Sequence, residues 1–330
     1  MNLFDSLFVF DQGIQLRDTP LWLDARTARP LCFLSNPLIP GSDAHEKVLV
    51  SPVTAEVLKA LSGGKRSQLL ISPFGRRFSL GRIDLELFSA GYLPGASSLK
   101  LEVEGQTVVY SGAIDTGHDD ALPAAEFRRC DLLLLPCDAT ALHALALPDR
   151  AQIAAKLKRF VEQCIADQTT PVLLFETTAD ALLVARLLSD GGIAVRAHRA
   201  IHAVCQAYDA AIEARWAGAV KRYQRRLRPG AAALLWPLDQ AGSPAASQER
   251  AKTALVTPRA QLHRRALPAA DAAFALSASS DYRGLLDYVR ASRPQAVLFV
   301  GGYSESLAAD LQALGILVGH KGPQSQLKLF

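Results

Sequence analysis

The segment DLLLLP at 131–136 limits the fold more than any other stretch of the chain. A β-strand sends successive side chains to opposite faces, so an unbroken apolar run of this kind has to be covered on both sides. A strand covered on both sides lies inside a layered α/β arrangement. PVLLFE at 171–176 and AVLFV at 296–300 read as further strands of that architecture.

The surrounding pattern agrees. Short apolar runs at 21–23, 31–34, 47–50, 69–71, 83–87, 98–103 and 107–110 alternate with Gly, Pro, Ser and Asp clusters, as strands joined by turns do. EGQ at 104–106 falls between two of them and reads as a hairpin turn. From Asp149 to Ala166 the apolar spacing becomes helical, through Ile153, Leu157, Val161 and Cys164. A helix over 178–189, Gly191-Gly192 and IAVRAH complete a strand–helix–strand unit. A long helix is expected over Ile201–Arg228, ending at Pro229-Gly230, then a strand over Ala233–Trp236 and a loop over Asp239–Arg250. A strand, a helix near 304–313 and a last strand after Gly315 close the chain, and no internal repeat is present.

Composition removes other classes. With 330 residues and 49% apolar content, the chain can bury one large core or two ordinary ones, which excludes a disordered or collagen-like chain. No apolar run approaches the ~18–20 residues of a membrane span, so no membrane partner is expected. The opening MNLFDSLFVF has Asp5 early and no basic stretch ahead of its apolar run, a poor signal peptide. Cys32, Cys130, Cys137, Cys164 and Cys205 are odd in number and widely spaced, which fits buried thiols and a cytoplasmic location. The formal charge of +4 is too small to indicate nucleic acid by itself, whereas seven histidines would suffice for a metal site.

Six blocks, in order, carry a resemblance. They are TPLWLDARTARPLCFLS at 19–35 with SPVTAEVLKAL at 51–61, the long stretch from SPFGRRF to YSGAID at 72–115, PVLLFETTADALLVARLL from 171, FALSASSDYRGLLDYV from 274 and AVLFVGGYSESLAADLQALG from 296. Together they resemble the bacterial DNA ligase-associated exonucleases, a branch of the metallo-β-lactamase/β-CASP nuclease family. The resemblance implies a metallo-β-lactamase αββα sandwich from 1–150 and 268–330, with a β-CASP α/β domain inserted at 151–267. It also implies two metal ions roughly 3.5–4 Å apart that activate water and steady phosphoryl oxygens. In the family, His and Asp on strand-end loops hold those ions.

Laid on this sequence, the family's first metal loop falls on Asn36, Leu38, Pro40 and Gly41, the next His on Tyr92 and the bridging Asp on Ala113. The later Asp–His step falls on Ala278 and Ser279, and the closing His on Gly301. Leu, Pro, Gly and Ala offer no side-chain ligand, and Asn, Ser and Tyr are poor replacements for imidazole and carboxylate. The resemblance therefore implies the fold and argues against the activity. No cofactor is expected.

Relocated ligands are the alternative. Asp115, His118, Asp119 and Asp120 in DTGHDD bring ligand types together, although a solvated turn accounts for them equally. Asp43 with His45, and His198 with His202, are pairs without a third ligand. Cys137 ends the DLLLL strand and reads as a buried thiol.

Positive charge gathers at Lys221, Arg222, Arg225, Arg226 and Arg228, with Trp216 and Tyr223 interleaved. Arg259, Arg264 and Arg265 form a second patch, and Arg76 and Arg77 stand on a predicted turn. A basic helix end is the plain explanation, and a phosphate-contacting ridge the functional one. The expected function is that of a pseudonuclease: a nucleic-acid-binding or scaffold subunit that takes DNA or RNA, an active nuclease paralogue, or another protein as partner. The alternatives are a metal-dependent exonuclease or phosphodiesterase with relocated ligands, and a protein-interaction subunit without nucleic-acid contact.

Overall fold

The structure is a computed structural model that describes residues 7–10, 13–62, 67–117, 122–137, 145–213, 215–224, 227–240, 250–261 and 268–322. It is mixed α/β, with three sheets and six α-helices among the described residues. Two compact units divide the chain: Met1–Ala146 with Ser279–Phe330, and Leu147–Ala278.

The first unit holds two sheets. Strands β1 (Phe8–Phe10), β2 (Ile14–Leu16), β3 (Leu21–Leu23), β4 (Leu31–Phe33), β5 (Lys47–Val50) and β6 (Gln68–Ile71) lie side by side in chain order. They are antiparallel as far as β3 and parallel beyond it. Helix α1 (Pro52–Leu61) makes the crossover between β5 and β6. Its start is encoded locally: Pro52 takes the first helical position, where no amide partner is needed, and the Thr54 amide donates to Ser51 Oγ at 3.3 Å.

The second sheet contains β7 (Arg77–Leu80), β8 (Ile83–Ser89), β9 (Ser97–Val103), β10 (Gln106–Tyr110) and β11 (Leu132–Cys137). Two strands from the far end of the chain, β18 (Ala296–Gly301) and β19 (Leu317–Lys321), extend it in the order β19-β18-β11-β10-β9-β8-β7. Glu104 and Gly105 both have positive φ, as a two-residue turn between twisted antiparallel strands requires, and Val103 pairs with Gln106.

The DLLLL run explains how the unit is layered. Leu132 and Leu134 point into a core shared with Leu21, Leu23, Leu31 and Phe33 of the first sheet. Leu133, Val297 and Phe299, on the other face, are equally buried. Because the inner face is filled by the partner sheet, helices α5 (Tyr282–Ser292) and α6 (Glu305–Ala313) lie against the outer one, turning in Leu285, Val289, Leu307 and Leu311. On the opposite side, Ala55 and Leu58 of α1 cover Cys32, Val48 and Val50. The result is helix, sheet, sheet, helix.

The second unit is a parallel sheet in the order β14-β13-β15-β12-β16-β17. Its strands are β12 (Thr170–Phe175), β13 (Val195–Ala197), β14 (Val220–Arg222), β15 (Ala233–Pro237), β16 (Ala251–Val256) and β17 (Ala272–Phe274), all pairing in parallel. Helix α2 (Arg150–Ala166) precedes it, and α3 (Thr178–Asp190) and α4 (Arg199–Ala211) carry the chain outward from β12 to β13 to β14. The chain then returns across the sheet to β15, β16 and β17.

One expectation is corrected. The helix expected over Ile201–Arg228 stops at Ala211, and Val220–Arg222 is a strand. Ile212 caps α4, Glu213 turns to φ 53°, and the Asp209 carboxylate accepts the Ala217 amide at 3.0 Å, folding the chain back on itself. Helix-forming residues persist beyond that point, but pairing with β13 outweighs their local preference. The second compact unit runs to Ala278 and includes Ala272–Phe274, which pairs with β16.

Leu134 is fully buried between the sheets. Leu134→Ala should therefore lower the unfolding free energy by about 2–5 kcal/mol in chemical denaturation. A drop below about 1 kcal/mol would contradict this packing.

Candidate functional site

The loops that follow the first unit's strands are organised by one carboxylate. Asp24 follows β3 with φ 44°, a conformation held by what its side chain accepts. Ser35 donates its amide (2.7 Å) and its hydroxyl (2.6 Å) to Asp24, and the Tyr110 hydroxyl at the end of β10 donates from 2.9 Å. The Ser35 carbonyl in turn accepts the Ser97 amide at 2.7 Å, which joins β4's exit to β9. Gly112 comes so close that a Cβ there would stand 2.6 Å from that of Ser35, at φ 61°. Asp24, Ser35 and Gly112 therefore hold the strand ends together.

Asn36, Leu38, Tyr92, Ala113, Ser279 and Gly301 are among the positions on which the resemblance lays the family's ligands. Asn36 is buried; its amide nitrogen reaches Ser35 Oγ at 3.2 Å and its oxygen accepts the Leu38 amide at 3.0 Å. Both ends of that side chain are committed to the turn. Leu38 and Tyr92 are half-buried, as are Ala113 and Ser279. Gly301 pairs with Cys137 across β18 and β11. Next to Ser279, the Ser280 hydroxyl accepts the Thr116 amide at 2.7 Å. Asp115 is buried, and its Oδ1 accepts the Gly117 amide at 3.1 Å.

This donor set does not fit a pair of metal ions. Leu38, Ala113 and Gly301 contribute no ligand atom, and Asn36 gives its oxygen to a backbone amide. Among the described residues no group of three or more His, Cys, Asp and Glu is placed to hold a metal. Of the DTGHDD alternative only Asp115 is described; His118, Asp119 and Asp120 lie outside the described residues. The histidine pair is accounted for otherwise. His198 caps α4, its Nδ1 accepting the Ala200 amide at 3.3 Å, and its ring stands 4.5 Å from that of Trp236. Burial lowers the pKa of both His198 and His202. All five cysteines are buried and none is in a disulfide, and burial pushes the Cys32, Cys130 and Cys205 thiols up to about 12, unsuited to nucleophilic chemistry.

In the second unit the basic residues divide by role. Lys221 and Arg222 are exposed on the outermost strand, β14, and Arg228 is exposed beyond it. Arg225, Arg226, Arg264 and Arg265 lie outside the described residues. Arg259 is engaged at the carboxyl ends of β12 and β16, where it forms an ion pair with Glu176. Its Nε is 3.3 Å from Glu176 Oε2, which also accepts the Thr257 hydroxyl at 2.8 Å. Sequence reasoning missed Glu176 because the three residues meet only when two parallel strands align their ends. Arg77, expected on a turn, begins β7 and lies 3.6 Å from Glu86.

No family model matches the chain. A protein of Opitutus terrae named "Probable DNA ligase" is 24% identical over 329 residues, covering 97% of this chain and 31% of that protein. The chain thus spans about a third of that relative's length. A crystal structure of a protein of unknown function from Enterococcus faecalis V583 shares the fold with a TM-score of 0.55 and 12% identity, covering 89% of this chain and 79% of that one.

Burial pushes the Asp24 carboxyl up to about 6, against the hydrogen bonds from Ser35 and Tyr110 that pull it down. A carboxyl whose folded pKa lies above its unfolded value of about 3.9 favours folding when protonated. Its stabilising contribution is therefore present below pH 4 and lost as the pH rises through 6, on the order of 3 kcal/mol. Denaturation of the native chain and of Asp24→Asn between pH 4 and 7 should give curves whose difference has this slope. Parallel curves would refute the assignment.

Proposed function

We propose that this chain is a catalytically degenerate homologue of the metallo-β-lactamase/β-CASP nucleases, a pseudonuclease that binds nucleic acid or serves as a scaffold. The observation that carries the reading is the coexistence of an intact frame with positions unable to ligate. Asp24, Ser35, Tyr110 and Gly112 fix the strand ends, while Leu38, Ala113 and Gly301 stand where the family places metal ligands. Hydrolysis of a phosphodiester by two metals needs ligands that hold both ions against an attacking water. Side chains without donor atoms cannot supply them.

Several features support nucleic acid as the ligand. The helix–sheet–sheet–helix layering of the first unit agrees with the fold implied by the sequence resemblance. The relative named as a probable DNA ligase points towards DNA processing. Lys221 and Arg222 are successive residues of an edge strand, exposed on its two faces, and Arg228 adds a third exposed cation. Phosphate contacts by such side chains release counterions and dominate affinity without reading sequence. Arg259 is a weaker phosphate ligand in this reading, because Glu176 already neutralises it. A lysine or arginine on an edge strand also discourages strand-to-strand association, so these residues serve the fold as well.

Two measurements test the proposal. Purified chain should contain no stoichiometric zinc or manganese and should show no chelator-sensitive nuclease activity; finding both would refute degeneracy. Replacing Lys221 and Arg222 by alanine should weaken binding of DNA or RNA and flatten the dependence of log K on log salt by about 0.7–0.9 for each phosphate that is no longer neutralised. Unchanged binding across several salt concentrations would favour a protein-interaction subunit instead.

A further inference from the structure

Phe299, Tyr303 and His320 form a stepped series of rings in the first unit. Phe299 is fully buried on β18. Tyr303 meets it edge-on, with ring centroids 5.7 Å apart and planes at 71°. The exposed His320 imidazole, on β19, lies 5.3 Å from the Tyr303 ring at 54°. Its Nε2 is 3.1 Å from the Gly301 carbonyl, which restrains the imidazole. The turn carrying the tyrosine is pinned as well, because the Gly302 amide donates to the Cys137 carbonyl at 2.8 Å.

Tyr303 nevertheless remains 45% exposed. A ring buried on one side, flanked on another and open on the rest gains only part of the energy that burial offers. Such a ring has already given up much of its rotamer freedom, so a flat ligand can stack on it at little further entropic cost. Nucleobases suit such a surface because each presents a π-face, and stacking of this kind tolerates any base.

We propose that Tyr303, flanked by His320, is a stacking shelf for an unstacked nucleobase, presented by a single strand or by a free nucleotide. This inference rests on the nucleic-acid reading of the chain and adds a base-contacting residue to it. Fluorescence anisotropy of labelled oligothymidine and oligoadenylate, with the whole chain at fixed salt, tests it. Tyr303→Ala should weaken single-strand binding roughly 5- to 100-fold, Tyr303→Phe should retain it, and the salt slope should stay that of the native chain. Competition by adenosine and thymidine monophosphates identifies the source: competition that disappears in Tyr303→Ala supports a free nucleotide, and no competition alongside weakened strand binding supports a strand. Tyr303→Ala binding both ligands within twofold of the native chain would overturn the shelf; if the Lys221 and Arg222 replacements still weaken binding, the nucleic-acid reading survives. A native chain that binds neither oligonucleotides nor nucleotides would overturn both.

Discussion

The Asp24 carboxylate accepts three hydrogen bonds, two from Ser35 and one from Tyr110, in a setting buried enough to raise its pKa to about 6. Those bonds tie the exits of β3 and β4 in one sheet to the end of β10 in the other. The strand-end loops that carry Asn36 and Ala113 take their positions from this junction. A buried carboxylate without partners would be costly, so the arrangement is stable only while all three donors remain in place. This interdependence fixes the frame through folding alone: the same contacts are needed to close the sandwich. Folding constrains Asp24, Ser35 and Gly112 whether or not a metal is held beside them.

A similar logic governs the second unit. Asp180 takes the Thr177 hydroxyl at 2.7 Å and the Ala278 amide at 2.7 Å, and burial raises its carboxyl to about 6. It thereby braces Thr177, the residue that caps α3, and holds the last residue of the unit with a single side chain. Glu176 and Thr257 engage Arg259 at the neighbouring strand ends. Polar groups gathered at the carboxyl ends of a parallel sheet are thus occupied with one another, whereas Lys221 and Arg222, on the outermost strand, stay exposed. Charge available to a ligand is set by these pairings, and the total of +4 gives no hint of it.

Much of the fold was legible because its signals are local. The DLLLL run identified a strand covered on both faces, and β8, β9, β10 and β12 appeared where alternating or continuous apolar residues predicted them. The hairpin at Glu104-Gly105 and the start of α2 at Asp149, whose carboxylate accepts the Gln152 amide, followed from turn and cap chemistry. The strands β14, β16 and β17 were not legible. Each is short or weakly patterned and exists because a neighbour offers hydrogen bonds, as β13 does to Val220–Arg222. The site divides in the same way. That Leu38, Ala113 and Gly301 lack ligand atoms follows from residue identity alone, whereas the ion pair of Arg259 and the restrained ring of Tyr303 do not.

The sequence by itself determined the fold class, the layers demanded by doubly buried strands, and the lack of side-chain ligand atoms at Leu38, Ala113 and Gly301. These depend on residue type and periodicity, which are properties of the chain before it folds. Only the tertiary structure decided which charges are paired and which face solvent, where the basic run stops being helical, and which aromatic ring stands open at a strand end. Those outcomes depend on partners distant in the chain, and a side chain's effective chemistry is settled by the neighbour that folding brings within hydrogen-bonding or stacking distance.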